Sequence, residues 1–220
     1  MSVRLWGHWT CPFVNRVDFA LGQRAIDFEL IAVPPSAVRP KGFALPDEFV
    51  ANSPRLEVPL VCVDGEFLAD SIPVLHFLEE RVVGPTLLPD PDRELVLERV
   101  GRLDETLMRN MGSIAYGSDP EKIDRAAARL SDAFVEMAGW LGKSTWLAAD
   151  TPTLAEAIAV PIYLRLPGLV ELGFDRPLPP AVADHMARTL DLPGGIHVSW
   201  SDEQRSEYLG RHQKARRLSR

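Results

Sequence analysis

Cysteine occurs twice in the 220-residue chain, at Cys11 and Cys62, and the two have different surroundings. Cys11 opens Cys11-Pro12-Phe13, between the strand-like Val3, Leu5 and Gly7 and an apolar helical pattern through Val14, Val17, Phe19, Ala20 and Leu21 that Gly22 closes. A thiol at such a junction lies among the unpaired backbone N–H groups of a first helical turn. These favour the thiolate and should bring its pKa below the ordinary value of about 8.5, making a nucleophile at neutral pH. The bland alternative is a buried, inert cysteine acting as a small hydrophobe. A redox dithiol would need a second cysteine at position 14. Val14 stands there, so disulfide chemistry at Cys11 is monothiol and needs a small external thiol to resolve it. Cys62, inside the apolar run Pro59 to Val63, reads as core.

Two further local patterns suit a ligand. Val58-Pro59 opens a strand, and a cis bond there would turn the preceding N–H and C=O outward, where an extended peptide could pair with them; an ordinary trans Pro at a strand start is the alternative. Asp70-Ser71 opens a helix. A carboxylate, a hydroxyl and free N-terminal amides together could receive a group carrying both an ammonium and a carboxylate, or they could be a plain cap.

The elements that must position these groups follow from periodicity and turn chemistry. After the first strand and helix, a strand is expected at Phe28 to Val33, a loop from Pro34-Pro35, and a short helix at Asp47 to Ala51. A hairpin turning at Asp64-Gly65 follows, then a helix from Asp70-Ser71 to about Gly84-Pro85. From about residue 91 the strand pattern ends. Helices are expected at Leu95 to Tyr116, Ile123 to Leu141, and after the capping box Thr153-Leu154-Ala155-Glu156, with Pro161 kinking the last of these. Two more are expected at Pro180 to Leu190 and Asp202 to Arg217. The reading is therefore an α/β domain at 1–84, a linker at 85–90 and an all-helical domain at 91–220.

Composition sets the class. With 46% hydrophobic and 25% charged residues the chain can build real cores. No stretch is long and apolar enough for a membrane span, and the start, Met1 to Gly7, has no signal-peptide pattern. Two cysteines are too few for a disulfide framework or a cysteine metal site, so a cytoplasmic protein without metal is expected. A net charge of −7 argues against general nucleic-acid binding. The last ten residues nevertheless hold Arg211, Lys214, Arg216, Arg217 and Arg220, read as the solvated end of a helix rather than a phosphate-binding arm.

Taken in order and spacing, these residues resemble the cytosolic glutathione transferases, and the cysteine-type, omega-like branch in particular. The likeness runs through Cys11-Pro12-Phe13-Val14-Asn15-Arg16-Val17, Asn52-Ser53-Pro54, Val58-Pro59-Leu60-Val61, Asp64-Gly65, Asp70-Ser71, Leu87-Leu88-Pro89 and Thr153 to Glu156. It implies a thioredoxin-like N-terminal domain, an all-helical C-terminal domain and a homodimer. It further implies glutathione as co-substrate, held by Phe13, Val58, a cis Pro59, Asp70 and Ser71, with Cys11 facing its sulfur. A second-substrate pocket for a small apolar or aromatic electrophile is implied at His8, Trp9, Met108, Met111, Gly112 and Tyr116, with Trp200 nearby. A cysteine in that place suits thiol transfer and reductive deglutathionylation. The alternatives are glutathione-dependent conjugation, ether cleavage or isomerisation of a specialised metabolite, and a non-catalytic binding or regulatory protein on the same fold. Two features favour the last: the basic tail, and Leu56-Glu57, an acid beside an anionic tripeptide where the family often has Gly-Lys or a neutral pair.

Overall fold

Four strands and the helices that cover them make up the first part of the chain. In the computed structural model, which describes residues 1–218 apart from the side chain of Leu218, the order is β1 (Val3–Gly7), α1 (Pro12–Gln23), β2 (Glu29–Ala32), α2 (Asp47–Asn52), β3 (Leu60–Val63), β4 (Glu66–Ala69) and α3 (Ser71–Arg81). The sheet runs β2-β1-β3-β4, with β1 parallel to β2 and antiparallel to β3, and β3 antiparallel to β4. This is the thioredoxin-like arrangement. β2 is the mostly exposed edge strand and is shorter than Phe28 to Val33, whereas β3 is buried along its whole length. Strand alternation divides the faces. Leu5 and Val61 pair on one side, while Arg4 and Cys62 pair on the other, where the Arg4 guanidinium grips Glu48 of α2 and also donates to Cys62 Sγ at 3.5 Å. Cys62 is core, as its setting predicts.

The remaining helices are α4 (Arg93–Leu103), α5 (Arg109–Tyr116), α6 (Pro120–Leu141), α7 (Leu154–Glu171), α8 (Pro180–Leu190), α9 (Pro193–Val198) and α10 (Asp202–Leu218). The single helix expected from Leu95 to Tyr116 is interrupted by a π-helical segment, Asp104–Met108. There Thr106 Oγ1 donates to the Arg102 carbonyl and Asn110 Nδ2 to that of Thr106. α6 starts three residues before Ile123 because Asp119 caps it, accepting from the amides of Glu121 and Lys122, with Pro120 at the first helical position. α7 opens on a complete capping box and runs through both Pro161 and Pro167.

Two compact units result: Met1–Leu87 with Leu192–Val198, and Leu88–Asp191 with the chain from Ser199 onward. The short helix α9 is the unexpected return. It packs on α1 through two glycines: a Cβ on Gly194 would lie 2.4 Å from the Phe19 carbonyl oxygen, and one on Gly22 would lie 3.0 Å from His197 Cβ. Gln23 accepts from the Gly194 amide, and His197 Nε2 lies 2.8 Å from Asp18 Oδ1.

In the second unit the basic tail is solvated at Lys214 and Arg217 and tied down at Arg211 and Arg216. Arg211 pairs with Glu207, and Arg216 donates to the carbonyls of Ile114 and Leu172 at the C-terminal ends of α5 and α7. Arg220 lies outside the described residues. Among the described residues no helix is long and apolar enough to cross a membrane, and no cluster of His, Cys, Asp or Glu has the makings of a metal site.

Candidate functional site

Cys11 is the residue at which the loop after β1 becomes α1. Its backbone is extended (φ −83°, ψ 118°) and Pro12 takes the first helical position, so the sulfur stands at the helix start without capping it. The loop leading to it is pinned at several points. The Cys11 amide donates to the His8 carbonyl (3.0 Å), the Thr10 amide to His8 Nδ1 (3.3 Å), and buried Asn15 Nδ2 reaches back to the Trp9 carbonyl (3.1 Å). Thr10 Oγ1 is also 2.8 Å from His8 Nδ1, and the His8 and Trp9 rings lie against each other at 5.6 Å. His8 thus organises the loop through Thr10.

Val58-Pro59 is a cis peptide, as the resemblance implies, and the trans alternative that its residues left open is set aside. The Val58 carbonyl oxygen is 3.7 Å from Cys11 Sγ and accepts from the thiol. Residues 47 positions apart therefore meet where a strand begins beside the start of a helix. Cys11, Val58 and Pro59 are all buried, while Phe13 is half-open to solvent with the Arg16 guanidinium 5.0 Å from its ring centre. Arg16 is itself buried, and its Nη1 donates to Ser71 Oγ (3.2 Å), linking α1 to the start of α3.

Asp70 precedes α3 with φ +73°, a conformation uncommon for a residue with a side chain, and its carboxylate makes no cap bond. Instead it pairs with Arg55, and both partners are exposed. The plain-cap alternative for Asp70 is thereby set aside. Glu57 is also engaged: Ser36 donates to its carboxylate from the amide (3.2 Å) and from the hydroxyl, so the acid is drawn toward the short 3-10 helix at Ser36–Val38.

Cys11, Phe13, Val58, Pro59, Asp70 and Ser71 thus gather at the ends of α1, β3 and α3 within one unit. His8 and Trp9 share that unit, half-buried, on the loop before Cys11. Met108, Met111, Gly112 and Tyr116 belong to the other. Met111 is buried, Met108 and Gly112 are half-buried, and Tyr116 is exposed with its ring edge-on to His212 at 4.6 Å. Trp200 is buried there with the Arg165 guanidinium 4.7 Å from its ring. Sequence reasoning missed Asn15, Arg16 and Arg55. The first two stood in plain view as polar residues inside an apolar helical pattern, but nothing local marked Arg55.

Comparison with known proteins gives this geometry a context. Residues 5–86 match the glutathione S-transferase N-terminal domain. A probable maleylacetoacetate isomerase 1 of Drosophila melanogaster is 33% identical over 45% of this chain and 40% of its own length. The maleylacetoacetate isomerase of Pseudomonas aeruginosa is 26% identical over 72% of this chain and 79% of its own. This chain thus spans about 40% of the length of the Drosophila relative it matches. Among solved structures, glutathione transferase Omega 3C of Trametes versicolor superposes with a TM-score of 0.81, covering 99% of this chain and 93% of that one at 17% identity. That likeness shows the fold alone.

Proposed function

We propose that the protein, whose residues 5–86 match the glutathione S-transferase N-terminal domain and whose chain superposes on the fold of a solved glutathione transferase, is a glutathione-dependent enzyme of the cysteine type in which Cys11 works at the sulfur of glutathione. The seat of Cys11 carries this reading. A thiol at a helix start, 3.7 Å from the carbonyl before a cis proline, stands where an extended peptide pairing with Val58 would bring its own cysteinyl sulfur. The first backbone N–H groups of α1 favour negative charge on Cys11 Sγ. The Asp70 carboxylate receives the γ-glutamyl ammonium, and Ser71 with the start of α3 receives its carboxylate.

In reductive deglutathionylation, the Cys11 thiolate attacks the sulfur of a glutathione conjugate. A Cys11–glutathione disulfide forms, the sulfur–carbon bond breaks, and its electron pair leaves on the substrate carbon, which takes up a proton. A second glutathione thiolate then attacks the mixed disulfide, releasing glutathione disulfide and restoring the Cys11 thiolate. A homodimer acting in the cytoplasm belongs to the same reading. Glu57 and, in the basic tail, Arg211 and Arg216, among the features that pointed to a non-catalytic protein, are tied within their own units.

The names of the curated relatives favour a second reading, isomerisation of a cis alkene conjugated to carbonyls. There the glutathione thiolate adds to the double bond, the resulting single bond rotates, and expulsion of the thiolate leaves the trans alkene with nothing consumed. Cys11→Ser separates the two. Under the cysteine-type reading the native protein should carry a glutathione adduct on Cys11 detectable by mass spectrometry, and Cys11→Ser should abolish both that adduct and deglutathionylation. Full thiol-transfer activity in that variant, with no adduct on the native protein, refutes it, and retained isomerisation of maleylacetoacetate supports the second.

A further inference from the structure

The turn that leads into Val58-Pro59 carries a charge whose place in the fold is set by an unusual number of anchors. The Leu56 amide donates to the Ser53 carbonyl (3.0 Å), closing a turn with Arg55 near its tip. Buried Ser53 Oγ accepts from the Glu57 amide (3.1 Å) and donates to the Glu57 carbonyl (3.0 Å). Arg39 Nη2 donates to the Leu56 carbonyl (2.7 Å) and Arg39 Nε to that of Pro34 (3.0 Å), while Ser36 holds the Glu57 carboxylate. The backbone on either side of Arg55 is thus fixed. Its side chain, 69% exposed, reaches Asp70, 53% exposed, at the start of α3.

We propose that Arg55 is a ligand-binding residue that takes the α-carboxylate of the γ-glutamyl group while Asp70 takes the ammonium on the same carbon; this rests on the reading of Asp70 and Ser71 given above. An exposed ion pair adds little stability, so opening it costs little. An α-amino acid end presents the complementary pair of charges on two groups attached to one carbon. Its insertion replaces one ion pair by two, and a guanidinium can grip the carboxylate through two parallel N–H groups. Ser71 Oγ already accepts from Arg16, which leaves the hydroxyl proton to be donated to the same carboxylate. The consequence is selection of the thiol: one carrying a free α-amino acid end is held at both charges, and one lacking it meets the closed Arg55–Asp70 pair.

The test is calorimetric titration of glutathione and two analogues: 4-aminobutyryl-cysteinylglycine, which lacks the α-carboxylate, and glutaryl-cysteinylglycine, which lacks the ammonium. Arg55→Gln weakens glutathione binding about tenfold, with Arg55→Lys between it and the native protein, yet binds the 4-aminobutyryl analogue as the native protein does. Asp70→Asn weakens glutathione but not the glutaryl analogue. Unchanged or tighter glutathione binding by Arg55→Gln, with weakening by Asp70→Asn, overturns the role of Arg55 alone. Unchanged binding in both variants overturns the γ-glutamyl reading beneath it.

Discussion

Replacing Glu156 should unfold the second unit at a markedly lower temperature, by an amount that follows from the donors aimed at its carboxylate. Glu156 is fully buried. Oε2 accepts from the Thr153 amide (2.7 Å) and Thr153 Oγ1 (2.8 Å), and Oε1 accepts from the Leu147 amide (2.7 Å) with His185 Nε2 at 3.1 Å. The chain continues to Tyr163, whose hydroxyl lies 2.8 Å from His185 Nδ1. Burial and the Glu156 charge hold the Tyr163 hydroxyl well above its usual range, so it stays a proton donor. Every group is satisfied when Tyr163 donates to Nδ1 and Nε2–H donates to Glu156. Thr153 Oγ1 and the imidazole can reverse their roles, but the two amides cannot. Glu156→Gln therefore leaves one buried amide facing an NH₂ group, a cost of about 1–3 kcal/mol, whereas Glu156→Ala orphans both amides and the imidazole, about 3–5 kcal/mol. For a chain of this size those losses lower Tm by roughly 2–4 °C per kcal/mol. Urea unfolding followed by tryptophan fluorescence measures them, with Trp146 a useful reporter because its ring is 5.6 Å from that of His185. Alanine and glutamine variants both within about 1 kcal/mol of the native protein would refute this reasoning, as would a glutamine variant no better than alanine.

Two further outcomes rest on other parts of the molecule. Ser53→Ala removes both bonds to Glu57 in the turn that carries Arg55 and Val58, so KM for glutathione should rise several-fold with a smaller change in kcat, at about 1 kcal/mol of stability; an unchanged KM counts against the turn as a positioning element. His212, in α10, is pushed down to about 4 by burial and by Arg165, Arg216 and Arg211, against a usual value of 6.5. The unfolded chain therefore takes up this proton first, and stability is lost as pH falls from about 6.5 toward 4. Urea midpoints across that range should fall less steeply for His212→Gln than for the native protein; parallel slopes would exclude His212 as a contributor.

The elements legible in the sequence were those whose cause lies within a few residues. Cys11-Pro12 marks a helix start, Asp64-Gly65 turns a hairpin, and Thr153 to Glu156 close a capping box, because each is decided by backbone geometry and hydrogen bonds inside one turn. The π-helical interruption at Asp104–Met108 has no such local mark, and its residues read as ordinary helix. The return of α9 to the first unit rests on bonds between residues 171 and 179 positions apart. Its glycines are visible in the sequence, but the surfaces they let approach are not.

By itself, then, the sequence determined the strand and helix order apart from α9 and the break between α4 and α5, the place of a potential nucleophile at a helix start, and the candidate ligand groups at Val58-Pro59 and Asp70-Ser71. Folding decided which of these face one another and what each is already bound to. It set Cys11 Sγ against the Val58 carbonyl, Arg16 beneath Ser71, Glu57 toward Ser36 and Arg55 across from Asp70. Caps and turns are set by neighbours along the chain, whereas a long side chain such as that of Arg55 finds its partner only once packing has fixed both ends.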